Sequence, residues 1–430
     1  MPLNRTTDAW FVSGLRSPFA KIDGPLAHED AISLSVPVVQ GMMKHIQAGA
    51  YPDLVLWGNV TPNLGWSNIA REIWMDAKLD PRAPAASVVM ACISSITQAC
   101  LAAGFVGHGN RELAVVGGVE AMSRLQIGLG QSLSDWLRHV IQAKSLGEKL
   151  GAAAELKLKD IGLFIPAVAN RTTGKSMGEH CEEMAKEWKI SRLAQDQLAY
   201  NSHLNAMKAQ DAKFFDDLIV PVGTVTKDAI PRRDTTMEKL AKLKPSFDRN
   251  SGQGTLTAGN STPLTDGAAG LWVASTAGLK KLDSALHRVR LVDFEITSVN
   301  IKNEGLLMAP SYAIPRLLAR HNLNYSDIEL WEIHEAFAAQ VLCNVAALES
   351  ASFRKDKAGV DRDFGRFPWE RVNPNGGSLA IGHPFAATGA RDISQAVKEL
   401  ANMPEGSLAI VSVCADGGQG TVALLENAKS

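Results

Sequence analysis

Three things are missing from this 430-residue chain, and each absence removes a class of function. There is no excess of charge: 44 Lys and Arg against 45 Asp and Glu leave a formal net charge of −1. No basic field is therefore present to hold nucleic acid or an anionic membrane. The five cysteines are odd in number and include no close-set pair, which argues against a disulfide framework and a zinc site and favours a reducing compartment. Long apolar runs are also lacking: nowhere do about 18 apolar residues run together, and Met1 to Phe19 shows no basic segment followed by an apolar one. A cytoplasmic protein without a membrane span or cleaved leader is expected. Small-molecule chemistry or protein contacts remain.

What the chain does have is alternation. Ala9 to Gly14 (AWFVSG), Leu54 to Asn59 (LVLWGN) and Leu113 to Gly117 (LAVVG) read as short buried strands, with helical patterns at Ile32 to His45 and Asn68 to Met75 between them. This is the pattern of an α/β layered domain, ending near Ser123. Residues 124–250 are richer in charge and poorer in strand patterns, and read as an inserted domain of amphipathic helices and loops. In it, Ser191 is placed to cap a helix with Leu193, Tyr200, Leu204 and Met207 on one face. Leu133, Trp136, Leu137, Val140 and Ile141 form an apolar stripe. Its bland reading is a helix packed on its own domain, and its sharper one a docking face for a partner or a membrane surface. Asp135 beside Arg138 keeps the polar face from being strongly basic.

Strand and helix patterns resume at about Arg288 (RVRLVDFEI) and continue through Ile328 to Ile333 and Leu408 to Val413. Glu112 to Ala121 and Ser407 to Asp416 each run from a strand into a turn of small residues. The chain thus reads as two related halves, 1–123 continued by about 251–287, and 288–430. An active site is expected where they meet.

Candidate chemistry begins at Cys92. The apolar run Ser87 to Met90 suits a buried strand, while Ile96, Ala99, Cys100 and Ala103 recur at helical spacing. A thiol at such a junction meets unpaired N–H groups and a positive dipole end, both favouring thiolate; otherwise a free cysteine is a small buried hydrophobe. Four further clusters accompany it: the loop Gly254 to Ala269, Trp331 to Ala338 with His334 and Glu335, Asn373 to Pro384 with His383 among glycines, and Val413 to Gly420 with Cys414. Each is weak alone. Two cysteines and two histidines at strand ends and helix starts are together a candidate site.

These blocks, Cys92 with its flanks, GTLTAGNSTPLTDGAA, HEAFA, NGGSLAIGHP and CADGGQG, resemble in content and order the signature blocks of the thiolase family, over essentially the whole chain. Residues 124–178, and His rather than Asn at position 334, most resemble the β-subunit of the fatty-acid oxidation trifunctional enzyme and its bacterial counterparts. The resemblance implies a thiolase-like layered αβαβα fold. It also implies 3-ketoacyl-CoA thiolase activity in β-oxidation, with coenzyme A as substrate and no cofactor or metal. Cys92 would be the nucleophile, His383 the acceptor of its proton and Cys414 the acid that protonates the leaving acetyl-CoA. One oxyanion would be held by His383 and a water on His334, the other by the backbone N–H groups of Cys92 and Asp416. Many relatives carry a small residue where Asp416 stands, so its carboxylate is expected to point away. Ser261 and Thr262 would lie along the pantetheine arm, with Met177 and Leu264 near the thioester. Arg232, Arg233 and Lys244 would meet the phosphates or remain surface charges. Cys100, Cys181 and Cys343 read as core residues. A homodimer or higher homo-oligomer is implied, with a hydratase/dehydrogenase α-subunit or a membrane surface as further partners. Acetoacetyl-CoA condensation and an acyl-carrying scaffold stand as alternative activities.

Overall fold

The structure, a computed structural model, describes residues 8–61, 63–166 and 168–429. The chain opens with β1 (Trp10–Val12), β2 (Ala20–Lys21), α1 (Ala31–Met43), β3 (Leu54–Gly58), α2 (Ile69–Asp76), β4 (Ala85–Ala86), α3 (Ser94–Gly107) and β5 (Leu113–Glu120). A small unit follows with β6 (Gly128–Leu129), α4 (Gln131–Gln142), α5 (Leu146–Ala154) and β7 (Leu163–Phe164). Next come α6 (Met177–Glu187), α7 (Arg192–Asp211), α8 (Met237–Ala241), β8 (Thr265–Ala274), α9 (Thr276–Leu279) and β9 (Arg288–Ser298). The last stretch holds α10 (Ala309–Arg320), β10 (Leu330–Ile333), α11 (Ala338–Glu349), α12 (Ser378–Ile381), α13 (Thr388–Leu400), β11 (Leu408–Ala415) and β12 (Gln419–Glu426).

The main sheet runs β10-β11-β12-β9-β1-β8-β5-β3-β4. Outward from the β1–β9 contact the two directions match: β8 and β12 pair antiparallel with β1 and β9, β5 and β11 antiparallel with those, and β3 and β10 parallel with β5 and β11. Helices match too, since α1 packs on β8 and α10 on β12, while α3 packs on β5 and α13 on β11. Alternation along β11 explains how both faces are filled. Ala409, Val411 and Val413 join the core cluster that includes Ile96 of α3 and Ile393 of α13, whereas Leu408 and Ile410 join the one under α10 and α11.

Side-chain caps fix several helix starts, among them the one expected at Ser191. Asp30 and Ser33 make a reciprocal capping box at α1, Asn68 caps α2, and Ser191 Oγ accepts from the Ala194 N–H at α7.

Four expectations need correction. Ser87 to Met90 is not a strand, because α3 side chains take its backbone groups: Gln98 Nε2 donates to the Val88 carbonyl at 2.7 Å, and the Met90 N–H donates to Ser94 Oγ at 2.9 Å. Of the face Leu193, Tyr200, Leu204, Met207 on α7, Met207 is buried, Tyr200 half-buried, and Leu193 and Leu204 exposed. The residues α7 buries include Gln195, Asp196, Ser202 and His203 beside three alanines and Met207; Asp196 accepts from Asn260 Nδ2 (2.9 Å) and Ser202 donates to Glu335 (2.7 Å), so apolar periodicity alone does not mark the buried face. Residues 169–250, grouped by charge with the insertion, belong to the main compact unit, and the separate small unit holds residues 61–67 and 125–168. Finally, the stripe on α4 is only partly covered within its unit: Leu133, Trp136 and Val140 are half-buried, Leu137 and Ile141 exposed. No residue of α4 is buried, although Trp136 Nε1 reaches the Ala152 carbonyl of α5 at 2.9 Å. Leu137, Ile141, Leu146, Leu150 and Phe164 are all exposed. Among the described residues no helix is long and apolar enough to cross a membrane.

Candidate active site

Cys92 and His383 meet because the starts of α3 and α13 abut. A Cβ on Gly389 would come within 2.5 Å of the Ile96 backbone nitrogen, so only glycine permits this approach. The Ala390 N–H donates to Ser95 Oγ at 2.8 Å across the same contact. The turns that precede the two helices are thereby laid side by side. Cys92 Sγ lies 3.1 Å from His383 Nε2, across 291 residues of chain.

The cysteine turn is tight. Ala91 takes a left-handed φ of 47°, a conformation costly for a residue with a Cβ and frequent at functional sites. Cys92 lies just ahead of the helix: α3 starts at Ser94, whose hydroxyl ties back to the Ala91 carbonyl at 2.7 Å. Burial pushes the Cys92 thiol up to about 12, against hydrogen bonds to its sulfur from the backbone N–H groups of Asp416 and of Cys92 itself. The carboxylates of Asp416 and Glu120 contribute to this rise.

His383 has one tautomer available. Thr388 Oγ1 donates to the Pro384 carbonyl at 3.1 Å, so at 2.6 Å it accepts from His383 Nδ1–H. The lone pair of Nε2 then faces Cys92, the orientation a base needs. The His383 N–H is held by Thr265 Oγ1 at 3.0 Å, and Leu264 lies beside it in a parallel bridge. Burial, and then the nearby Arg391 cation, lower this imidazole to about 3. Thiol and imidazole are both neutral at rest, so the proton passes as the sulfur attacks rather than beforehand.

His334 stands in the turn between β10 and α11, its ring centroid 4.1 Å from that of His383. It is fully buried; Nδ1 is 2.8 Å from Ser378 Oγ, and Nε2 has no partner among the described residues. Burial first, then His383 and Arg391, hold it well below the ordinary imidazole range.

Cys414 ends β11 within an apolar cluster bordered by Met177 and Phe247. Burial, then the neighbouring Cys92, pushes its thiol well above the ordinary value. Asp416 is half-buried; its Oδ1 accepts from Asn170 Nδ2 at 2.8 Å and from the Gly417 N–H at 2.6 Å. Its backbone N–H, not its carboxylate, is thus the group bonded to the Cys92 sulfur.

Of the proposed coenzyme contacts, Thr262 is bound on both sides: its N–H donates to the Ala336 carbonyl (3.1 Å) and its hydroxyl to the Ser378 carbonyl (2.9 Å). The buried Ser261 hydroxyl has no partner among the described residues. Arg232 and Arg233 line a cavity of about 360 Å³ with Tyr200, His203, Leu204 and Met207 of α7. Arg233 Nη1 is already paired with Asp211 at 2.8 Å, while Lys244 is exposed and outside that lining. Cys100, Cys181 and Cys343 are buried in α3, α6 and α11.

Thr388, Ser378, Arg391 and Asn170 complete the site, and the sequence did not point to them. Thr388 and Ser378 sit within or beside quoted blocks, but nothing in their spacing says which ring nitrogen each would face.

Comparison with known proteins gives the family. The profile of the thiolase N-terminal domain matches residues 9–277, and that of the thiolase C-terminal domain residues 287–427. The chain is 38% identical over 423 residues to a 3-ketoacyl-CoA thiolase of Colwellia psychrerythraea, covering 96% of each. It is 37% identical over 425 residues to one of Yersinia enterocolitica, again covering 96% of each. Among solved structures, a Bacillus anthracis acetyl-CoA acetyltransferase matches with TM-score 0.78 at 30% identity, over 98% of this chain and 99% of that one. An Ascaris suum thiolase in complex with coenzyme A matches with TM-score 0.79 at 25% identity, over 97% and 99%.

Proposed function

Because this chain belongs to the thiolase family, we propose that it is a 3-ketoacyl-CoA thiolase, an acyltransferase that shortens 3-ketoacyl-CoA by two carbons in β-oxidation. The observation that carries the reading is the contact of Cys92 Sγ with His383 Nε2 at 3.1 Å, with Cys414 beside it.

The Cys92 thiol gives its proton to His383 Nε2 as the sulfur adds to the C3 ketone carbon. Two oxyanions develop at different places: the backbone N–H groups of Cys92 and Asp416 meet the one on the carbon bonded to the Cys92 sulfur, and imidazolium Nε2–H of His383 with a water on His334 meets the enolate oxygen. The C2–C3 bond breaks, its electron pair goes to the acetyl-CoA enolate, and the Cys414 thiol protonates C2. Cys92 now holds the acyl group as a thioester. An incoming CoA thiol gives its proton to the Cys414 thiolate and attacks that thioester. Cys92 sulfur leaves and takes back the proton from His383. The Ser261 hydroxyl, which has no partner among the described residues, and the Thr262 backbone border the pantetheine path, Met177 and Leu264 the thioester, and Arg232 the phosphate end.

Assay of the purified protein with a long-chain 3-ketoacyl-CoA and CoA tests the reading. Thiolysis is expected, with Cys92→Ala inactive and an acyl adduct on Cys92 seen by mass spectrometry. Thiolysis undiminished in Cys92→Ala overturns the mechanism. The acetyl-CoA acetyltransferase among the structural relatives favours a second reading, condensation of two acetyl-CoA units; activity confined to acetoacetyl-CoA would select it. An adduct that forms and never turns over would select the acyl-carrying scaffold. The enzyme acts as a homo-oligomer in the cytoplasm. Its exposed α4 and α5 leucines dock a hydratase/dehydrogenase subunit, a membrane surface being the other outcome of co-purification from native extract.

A further inference from the structure

His334 Nε2 is a buried ring nitrogen with no hydrogen-bond partner among the described residues, and its usefulness depends on which nitrogen carries the proton. The answer comes from behind the ring. Ser378 Oγ lies 2.8 Å from His334 Nδ1 and 2.7 Å from Arg391 Nη2. All three residues are fully buried or nearly so. A guanidinium only donates, so Ser378 Oγ accepts from Arg391. Among the described residues, the hydroxyl hydrogen then has one acceptor within reach, His334 Nδ1. Reversing the second bond would aim two N–H groups at one oxygen and leave a buried O–H unpaired, the costlier arrangement.

We infer that Arg391, acting through Ser378, fixes His334 as the neutral Nε2–H tautomer, and so makes it a hydrogen-bond donor toward the reacting acyl-CoA. Arg391 and Ser378 are positioning residues in this scheme and touch no reacting atom. Arg391 is suited to the task. It belongs to α13, it is anchored by an ion pair with Asp392 at 2.7 Å, and it cannot lose its proton to become an acceptor. The same helix begins with Thr388, which sets the opposite tautomer on His383. One helix therefore prepares one imidazole to receive a proton and its neighbour to donate a hydrogen bond.

The inference rests on the thiolase reading for its use, but not for its test. Nitrogen-15 histidine NMR of the whole protein at neutral pH reads the tautomer without turnover. A neutral His334 protonated at Nε2 is expected, and protonation at Nδ1 overturns the inference. Failure of the unsubstituted protein to thiolyse would overturn the functional reading alone. Kinetics supply a second readout. Ser378→Ala is expected to lower kcat about 10- to 100-fold, the range seen when an orienting partner is removed, with KM nearly unchanged. In a His334→Asn background, whose amide donates whatever lies behind it, the same substitution should cost less than about 3-fold, because the coupled partner is gone. Equal losses in both backgrounds would mean that Ser378 is merely structural, and would overturn the assignment.

Discussion

The turn that carries His383 and the turn that carries His334 hold imidazoles with centroids only 4.1 Å apart, yet they prepare them for opposite work. Behind His383 stands a hydroxyl whose hydrogen is already committed to a carbonyl, so it must accept, and the far nitrogen is a base. Behind His334 stands a hydroxyl held by a guanidinium, so it must donate, and the far nitrogen is a donor. Both rings are buried, and both are held neutral by burial and by Arg391. The difference shows that burial and charge decide whether an imidazole is protonated, whereas the partner on its back decides what it offers in front.

The comparison is sharpened most by removing each ring in turn. His383→Ala is expected to lower kcat for thiolysis about 10³-fold or more, as for loss of a general base. His334→Ala should lower it about 10²-fold, as for loss of one oxyanion donor. Steady-state assays on one substrate check both, and a larger loss for His334 would reverse the assigned roles. A smaller effect comes from the back of the base. Thr388→Val removes the acceptor for Nδ1–H and should lower kcat about 10-fold or somewhat more, while Thr388→Ser should restore most of it; equal behaviour of Val and Ser would remove the hydroxyl from the argument.

The smallest effect is expected at Asp416. Its carboxylate raises the Cys92 thiol, which sits at about 12. Asp416→Asn keeps an oxygen for Asn170 Nδ2 and the Gly417 N–H but removes the charge. The thiol value should fall, since a nearby like charge disfavours the thiolate. Alkylation of Cys92 by iodoacetamide should then be faster at any pH below that value, with its pH profile moved to lower pH. A profile moved upward would show that the carboxylate does not face the sulfur electrostatically.

How much of this was legible in the chain depends on the kind of signal. Strands with continuous apolar runs, such as Leu113 to Gly117 and Leu408 to Val413, and capped helices, such as the one starting after Ser191, follow from local rules. The blocks around Cys92, His334, His383 and Cys414 were also visible in the chain, the last three at a strand end or among glycines, and Cys92 where an apolar run gives way to helical spacing. Ser87 to Met90 misled, since its backbone is satisfied by Ser94 and Gln98 rather than by a neighbouring strand. The buried face of α7 misled for a related reason: its polar residues find partners on distant loops, among them Asn260 and Glu335. Side chains that complete hydrogen bonds across the fold have no periodicity of their own.

By itself, the sequence determined that the chain alternates strand and helix, carries no field for a polyanion, and holds two cysteines and two histidines in the blocks of one family. These are consequences of composition and of order along the chain. Only the tertiary structure decided that Cys92 lies against His383, because that needs the starts of α3 and α13 to close over Gly389. It alone decided the tautomers, because a hydroxyl's role as donor or acceptor depends on what else it must satisfy. The partners concerned, Pro384 with Thr388 and Arg391 with Ser378, are set in place by packing.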